Sequence, residues 1–317
     1  MVEVKPEALR ETPAQPAEWR RALNSEFYHP DADALAFYKA ETGLHDDEEL
    51  KQHLLKVQSE AFAIYPYPCI RIFAFTWLRA TKNPAYGHVL KLGKERENAI
   101  FIDLGCCFGN EARKLVHDGY PIQNVIASDL RKGLWDLGHR LFRSTPETYP
   151  MHFIEGDIFD PKFLDLASPV PTGTSVDTAT LPSLPSLSSF NPLRGRVSAI
   201  YAGAFFHLFN FDQQYHIAKL LAGLLSPEPG SIIFGLHGGA HEKRVWKETV
   251  GKYTQCCHSP STWTEMWHEI FSEGKGGDGG VEVQVRLKQE VGDLEYFGTF
   301  IGNKNPWYLL EWSVTRK

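Results

Sequence analysis

The chain has 317 residues and carries 33 lysines and arginines against 39 aspartates and glutamates, a formal net charge of −6. That balance argues against a nucleic-acid binder, whose affinity rests on neutralising phosphates. The strongest apolar stretch, residues 70–78, is too short for a bilayer and contains Arg71, and the first residues lack an apolar signal region, so a cytoplasmic protein with no membrane partner is expected. The cysteines, Cys69, Cys106, Cys107, Cys256 and Cys257, are odd in number and lack Cys-x-x-Cys spacing, so neither a disulfide framework nor a metal site is expected.

Residues 1–18 are rich in Pro and Glu and read as a loose tail, and residues 19–95 as a helical extension. Asp46-Asp47-Glu48-Glu49 makes an acidic helix start, after which Leu50, Leu54, Val57, Ala61 and Ile64 share one face. Tyr65-Pro66-Tyr67-Pro68 ends that helix, because proline lacks an N–H and restricts the residue before it. The aromatic segment Phe73, Phe75, Trp77 fits either core packing against a sheet or a lid over a ligand.

From residue 96 the pattern changes to alternating strands and helices. Ala99-Ile100-Phe101-Ile102 reads as a buried parallel strand, and Asp103-Leu104-Gly105-Cys106-Cys107-Phe108-Gly109 leads from it into a helix at Asn110. A strand, a glycine-bearing turn and a helix start bring backbone close to a polar ligand. A dinucleotide fingerprint would place glycine at Cys107 and Asn110 as well as Gly105, and it fails at both. Asp103, Gly105 and Gly109 fit an acid followed by alternate glycines, with Cys107 in the middle position.

Val125 to Leu130 forms a second apolar strand ending in Asp129, an acid placed to accept ribose hydroxyls. A third strand, from His152, ends in Gly156-Asp157-Ile158; Asp157 is placed to accept an adenine amino group, with Leu130 and Ile158 flanking the ring. One such acid alone could be a helix cap. Three in register on successive strand ends point to S-adenosyl-L-methionine as the cofactor.

Residues 167–193, with repeated Leu-Pro-Ser, read as a disordered loop insertion. The fourth strand is Val197 to Gly203, followed by Phe205-Phe206-His207-Leu208-Phe209 and a helix from Asp212 to Leu225. Ser231 to Gly235 is a fifth strand, a helix covers about Thr262 to Phe271, Gly274 to Gly280 is a loop, and Val281 to Leu287 and Trp307 to Val314 are closing strands. This order predicts an α/β, doubly wound, mostly parallel sheet with its ligand at the carboxyl ends of the strands, residues 96–317 forming the cofactor-binding domain.

The stretches 65–70, 101–109 and 202–209 resemble class I methyltransferases, and more narrowly the fungal secondary-metabolite group that includes meroterpenoid-pathway carboxyl O-methyltransferases. The resemblance spans roughly residues 20–316. It implies a seven-stranded Rossmann-like sheet, S-adenosylmethionine-dependent O-methylation of a small apolar metabolite, and cofactor contacts from Asp103, Gly105, Gly109, Asp129, Leu130, Asp157, Ile158 and Ala202. The group's usual acid near the start of the fourth strand is absent, Ser198 standing there.

The sulfonium methyl is already electrophilic, so such an enzyme mainly aligns a nucleophile; a base is needed only for an acceptor protonated at neutral pH, such as a phenol. The resemblance, with the lack of an evident paired base near the fourth strand, implies a carboxylate acceptor over a phenol, with His207 the candidate catalytic residue and His237 a weaker one. His237-Gly238-Gly239 resembles an esterase oxyanion loop, but no Gly-x-Ser-x-Gly elbow exists. Nucleic-acid methylation lacks its Asp- or Asn-Pro-Pro-aromatic tetrad. A non-catalytic interaction protein that kept the fold is the remaining alternative, with Cys107 and Ser198 in its favour.

Overall fold

The computed structural model describes residues 23–174, 183–247, 254–272, 279–290 and 306–317. The tail, the start of the extension at Trp19, residues 175–182 of the Pro/Ser/Thr-rich segment and most of the glycine loop lie outside them.

The extension begins with α1 (Ala32–Thr42), capped by Asp31 and ended by Gly43 in the left-handed region, then α2 (Asp47–Ile64). Asp46 Oδ1 accepts from the N–H groups of Glu48 and Glu49, so the acidic run starts the helix as its composition predicts. Leu50, Leu54, Val57 and Ala61 are buried; Ile64, expected on the same face, is 43% exposed at the helix end. Short helices α3 (Pro68–Arg71) and α4 (Arg79–Lys82) and the longer α5 (Tyr86–Glu95) complete the extension.

The remainder alternates: β1 (Ile100–Leu104), α6 (Asn110–His117), β2 (Val125–Asp129), α7 (Lys132–Leu141), β3 (His152–Glu155), β4 (Val197–Gly203), α8 (Phe211–Leu224) and β5 (Ile232–Gly238). A small hairpin, β6 (Arg244–Lys247) and β7 (Thr254–Cys257), precedes α9 (Pro260–Ser272), β8 (Val281–Glu290) and β9 (Trp307–Arg316). One seven-stranded sheet runs β3-β2-β1-β4-β5-β9-β8; its first five strands are parallel, and β9 is antiparallel to both neighbours. The strand order reverses between β1 and β4, where the crevice of a doubly wound sheet opens.

The extension packs on the sheet domain through one apolar cluster that joins Leu50, Leu54 and Val57 to Phe108, Leu134 and Leu141. Tyr38 stacks on Phe142 with centroids 5.5 Å apart, and Phe75 meets Phe108 edge-on at 4.9 Å. Phe73 and Phe75 are thus core residues, and the core they build includes the loop after β1.

Within the Pro/Ser/Thr-rich segment, the described residues 183–193 depart from the expectation of disorder. Residues 183–193 form two single-turn helices and bury Leu187, Phe190 and Leu193. Phe190 N–H donates to Phe163 O at 2.9 Å, the two rings lie 4.7 Å apart, and His152 Nε2 bonds Leu187 O at 3.0 Å. The reason is the sheet edge. β3 is the terminal strand and needs cover, the leucines of the repeat supply apolar surface, and proline's fixed φ suits single helical turns.

Candidate active site

Gly105, at φ +73, is the first bend after β1, and a Cβ there would lie 2.7 Å from the Phe205 ring. Gly109, at φ +74, is equally closed: a Cβ would meet Trp135 at 2.5 Å. Cys107, between them, holds φ 52, a conformation that costs a non-glycine residue about 1 kcal/mol or more. The middle position of the loop therefore keeps a glycine-like backbone although its residue is cysteine.

Asp129 organises this loop. Its Oδ2 accepts from Cys107 N–H at 2.9 Å and its Oδ1 from Arg131 N–H at 2.8 Å. A carboxylate has about four acceptor positions, so these two bonds leave capacity for further donors. Burial pushes the Asp129 carboxyl upward, opposed by those same backbone donors. Beside it Leu130 is 48% exposed, an apolar side chain held out at the sheet's carboxyl edge. Asp157 Oδ1 accepts from Phe159 N–H at 2.9 Å, while Ile158 is buried and packs mostly inward.

Asp103 lies deeper, 2% exposed, with Oδ2 accepting from Ala112 N–H in α6 at 3.2 Å. Burial, then the Glu111 carboxylate, raises it well above the usual range. Its direct work is to pin the first turn of α6 under the loop. Glu111, which the sequence reading did not single out, accepts from Arg79 N–H at 2.7 Å and Ala80 N–H at 3.1 Å, and burial pushes it up to about 7. It ties the loop helix to α4 of the extension.

Ala202 offers backbone only. It is wholly buried in β4 and pairs with Gly235 of β5, its methyl group packed in the core. The open end of the strand begins at Gly203 and Ala204, the latter at φ 51 with its N–H on Leu236 O. Phe205 then returns over Gly105, bringing the turn Phe206–Leu208 beside the cofactor loop. His207 in that turn is half-buried with its Nδ1 enclosed and without a partner among the described residues, and burial lowers it to about 4.

A second group missed by sequence reasoning comes from the extension. The Arg131 guanidinium lies 3.7 Å from the centre of the Tyr65 ring, its Nε donates to Tyr67 Oη at 3.4 Å, and the two tyrosine rings are 4.3 Å apart. The Tyr-Pro-Tyr-Pro turn thus clamps the residue two places after Asp129. The alternating Tyr and Pro were its only signal, and they read as a helix stop.

A parallel sheet reversing at β1/β4, a tight loop after β1 and carboxylates at or just past the ends of β1, β2 and β3 define a class I S-adenosylmethionine-dependent methyltransferase. The family described as meroterpenoid methyltransferase N-terminal domain matches residues 23–76. The chain is 36% identical over 222 residues to the asnovolin E/chermesin D methyltransferase nvfJ of Aspergillus novofumigatus, covering 70% of each chain. It is 29% identical over 258 residues to the O-methyltransferase phiE of a fungal species (80% of this chain, 74% of the relative). Against the methyltransferase adrK of Penicillium rubens it is 30% identical over 226 residues, 71% of this chain and 72% of that one. Among solved structures, an S-adenosylmethionine-dependent methyltransferase from Mesorhizobium loti is similar at 12% identity and TM-score 0.40, over 75% of this chain and 100% of that one. The chain belongs to the fungal meroterpenoid methyltransferase family, and it is an enzyme. The alternative of a non-catalytic interaction protein falls with that finding; Cys107 keeps the loop's backbone form.

Proposed function

We propose that the enzyme methylates a carboxylate oxygen of a small apolar metabolite, a meroterpenoid like those named for its relative from A. novofumigatus. Bound S-adenosylmethionine supplies an electrophilic methyl group. In this reading the chain's residues hold it: Asp129 has acceptor capacity beyond its backbone bonds for the ribose hydroxyls, Asp157 has a second carboxylate oxygen for the adenine edge, and Leu130 offers apolar surface for the ring. The Gly105–Gly109 loop brings backbone to the amino-acid end, above Asp103.

The observation that carries the acceptor class is His207, beside the cofactor loop and lowered to about 4 by burial. Moving a proton from a phenol of pKa about 10 to such a base is uphill by roughly 8 kcal/mol. A carboxylate needs no base, only desolvation and alignment, and alignment supplies about 7–11 kcal/mol of the barrier. A neutral His207 serves to orient the acceptor. The low pKa also moves the ascending limb expected near the usual histidine value to the acid side of the stable range.

The test is the rate profile of wild type and His207→Ala with apolar carboxylic-acid acceptors, and with the two compounds named for the relative, asnovolin E and chermesin D. Lower turnover with an unchanged profile between pH 6 and 8 (roughly the range around an ordinary histidine) supports the reading. Loss of an ascending limb in that range on mutation would make His207 a base and sink it.

A further inference from the structure

We propose that His237 binds the methyl acceptor, donating its Nε2–H to an acceptor oxygen. The assignment rests on the reading of this site as the acceptor side of a methyltransferase, and it begins from a hydrogen bond that fixes a tautomer.

His237 stands near the carboxyl end of β5, next to β4 and its His207 turn, and is 1% exposed. Trp312 Nε1 lies 3.0 Å from His237 Nδ1. An indole nitrogen only donates, so Nδ1 must be the bare, accepting nitrogen and the ring proton sits on Nε2. Protonating Nδ1 would set two donors against each other. Burial and the neighbouring His207 and His258 also hold the ring well below the usual histidine range. His237 is therefore a neutral imidazole with its single N–H pointed away from Trp312.

That N–H is buried and has no hydrogen-bond partner among the described residues. Buried donors nearly always have one, and an unmet donor costs about 1–3 kcal/mol. The surroundings are apolar rings, Trp263 at 4.5 Å and Phe206 at 5.6 Å between centroids, and Phe206 is the residue before His207. His207 Nδ1 is likewise enclosed and unpartnered. His258 Nε2 and Trp263 Nε1, in rings that neighbour His237, are also buried and unpartnered among the described residues, and this gathering of unmet polar atoms within aromatic rings, next to the His207 turn, suits one polar group on an otherwise apolar molecule. An oxygen is the atom that a fixed N–H donor selects. With a carboxylate acceptor, one oxygen accepts from His237 while the other takes the methyl group, leaving S-adenosylhomocysteine and a neutral ester with no proton to remove.

The test uses the full chain saturated with S-adenosylhomocysteine and labelled with 15N-histidine. His237→Phe identifies the His237 signals. The expected spectrum shows Nδ1 unprotonated and Nε2 protonated, unchanged from mildly acidic to mildly alkaline pH; a proton on Nδ1, or a doubly protonated ring, overturns the assignment. Three rigid terpenoid probes are then added: abietic acid, its reduced alcohol, and its parent hydrocarbon. The acid should shift the His237 Nε2–H signal and the hydrocarbon should not. Affinity for the acid should fall about ten- to hundredfold in His237→Phe, the loss of a hydrogen bond to a charged group, and recover in His237→Gln, which keeps a donor. Calorimetry should show unchanged S-adenosylhomocysteine binding in both variants. A shift with the alcohol alone supports the donor and refutes the carboxylate reading. No shift with any probe, while S-adenosylhomocysteine still binds, overturns the donor.

Discussion

Asp129 makes two separable contributions, and replacing it tests both. Its carboxylate closes the cofactor loop by accepting from Cys107 N–H at 2.9 Å and secures the entry to α7 by accepting from Arg131 N–H at 2.8 Å. Its remaining acceptor positions are assigned to ribose hydroxyls. Asp129→Ala removes all of these; Asp129→Asn keeps one carbonyl oxygen and loses the charge. Hydrogen bonds to a charged group contribute about 1.5–3 kcal/mol, so the alanine variant should bind S-adenosylhomocysteine about ten- to hundredfold more weakly. It should also lose about 1–3 kcal/mol of stability through the two N–H groups left without their acceptor. The asparagine variant should fall between wild type and alanine in both. Calorimetry gives the affinity and denaturant unfolding the stability. Lower stability with unchanged affinity would show that Asp129 only holds the loop, and would refute its assignment to the cofactor.

Phe190→Ala should destabilise the protein by about 3–5 kcal/mol, since a wholly buried ring against Phe163 is lost; a loss under about 1 kcal/mol in urea unfolding would return 183–193 to the status of a loose insertion. Glu111 is an acid raised from 4.5 to about 7 in the folded state, which therefore takes up a proton more readily than the unfolded chain. Its contribution to stability falls as pH rises through that window, by roughly 2–3 kcal/mol after allowance for its partly exposed edge; Glu111→Gln should flatten the slope of unfolding free energy there, and an unaltered slope would contradict its burial as an acid. Cys107→Gly should be neutral or stabilising by up to about 1 kcal/mol, because glycine accepts φ 52 without strain; clear destabilisation would mean that the thiol's packing outweighs the strain.

The parallel half of the sheet was legible because each strand is an apolar run ending in a chemical signal: Asp103, Asp129 and Asp157 mark three strand ends at the spacing of one βα unit. The loop was legible for the same local reason, even with Cys107 in a glycine position. What stayed hidden depends on partners far along the chain. His237 gains its fixed tautomer only because β5 pairs with β9, which brings Trp312 beside it. Arg131 meets Tyr65 and Tyr67 only because α2 packs against α7. The β6–β7 hairpin has strands of four residues each, too short for alternation to register. The Leu-Pro-Ser repeat misled because composition averages away the few apolar residues, Leu187, Phe190 and Leu193, that cover the β3 edge.

The central claim, methyl transfer to a carboxylate, is tested most directly by supplying the enzyme with methyl-labelled S-adenosylmethionine and matched apolar acceptors that differ only in bearing a carboxylic acid or a phenol. The account predicts label on the acid, released as methanol by mild base as a methyl ester must be, with little on the phenol. Label on the phenol alone, stable to base and lost with an ascending pH limb in His207→Ala, would contradict it.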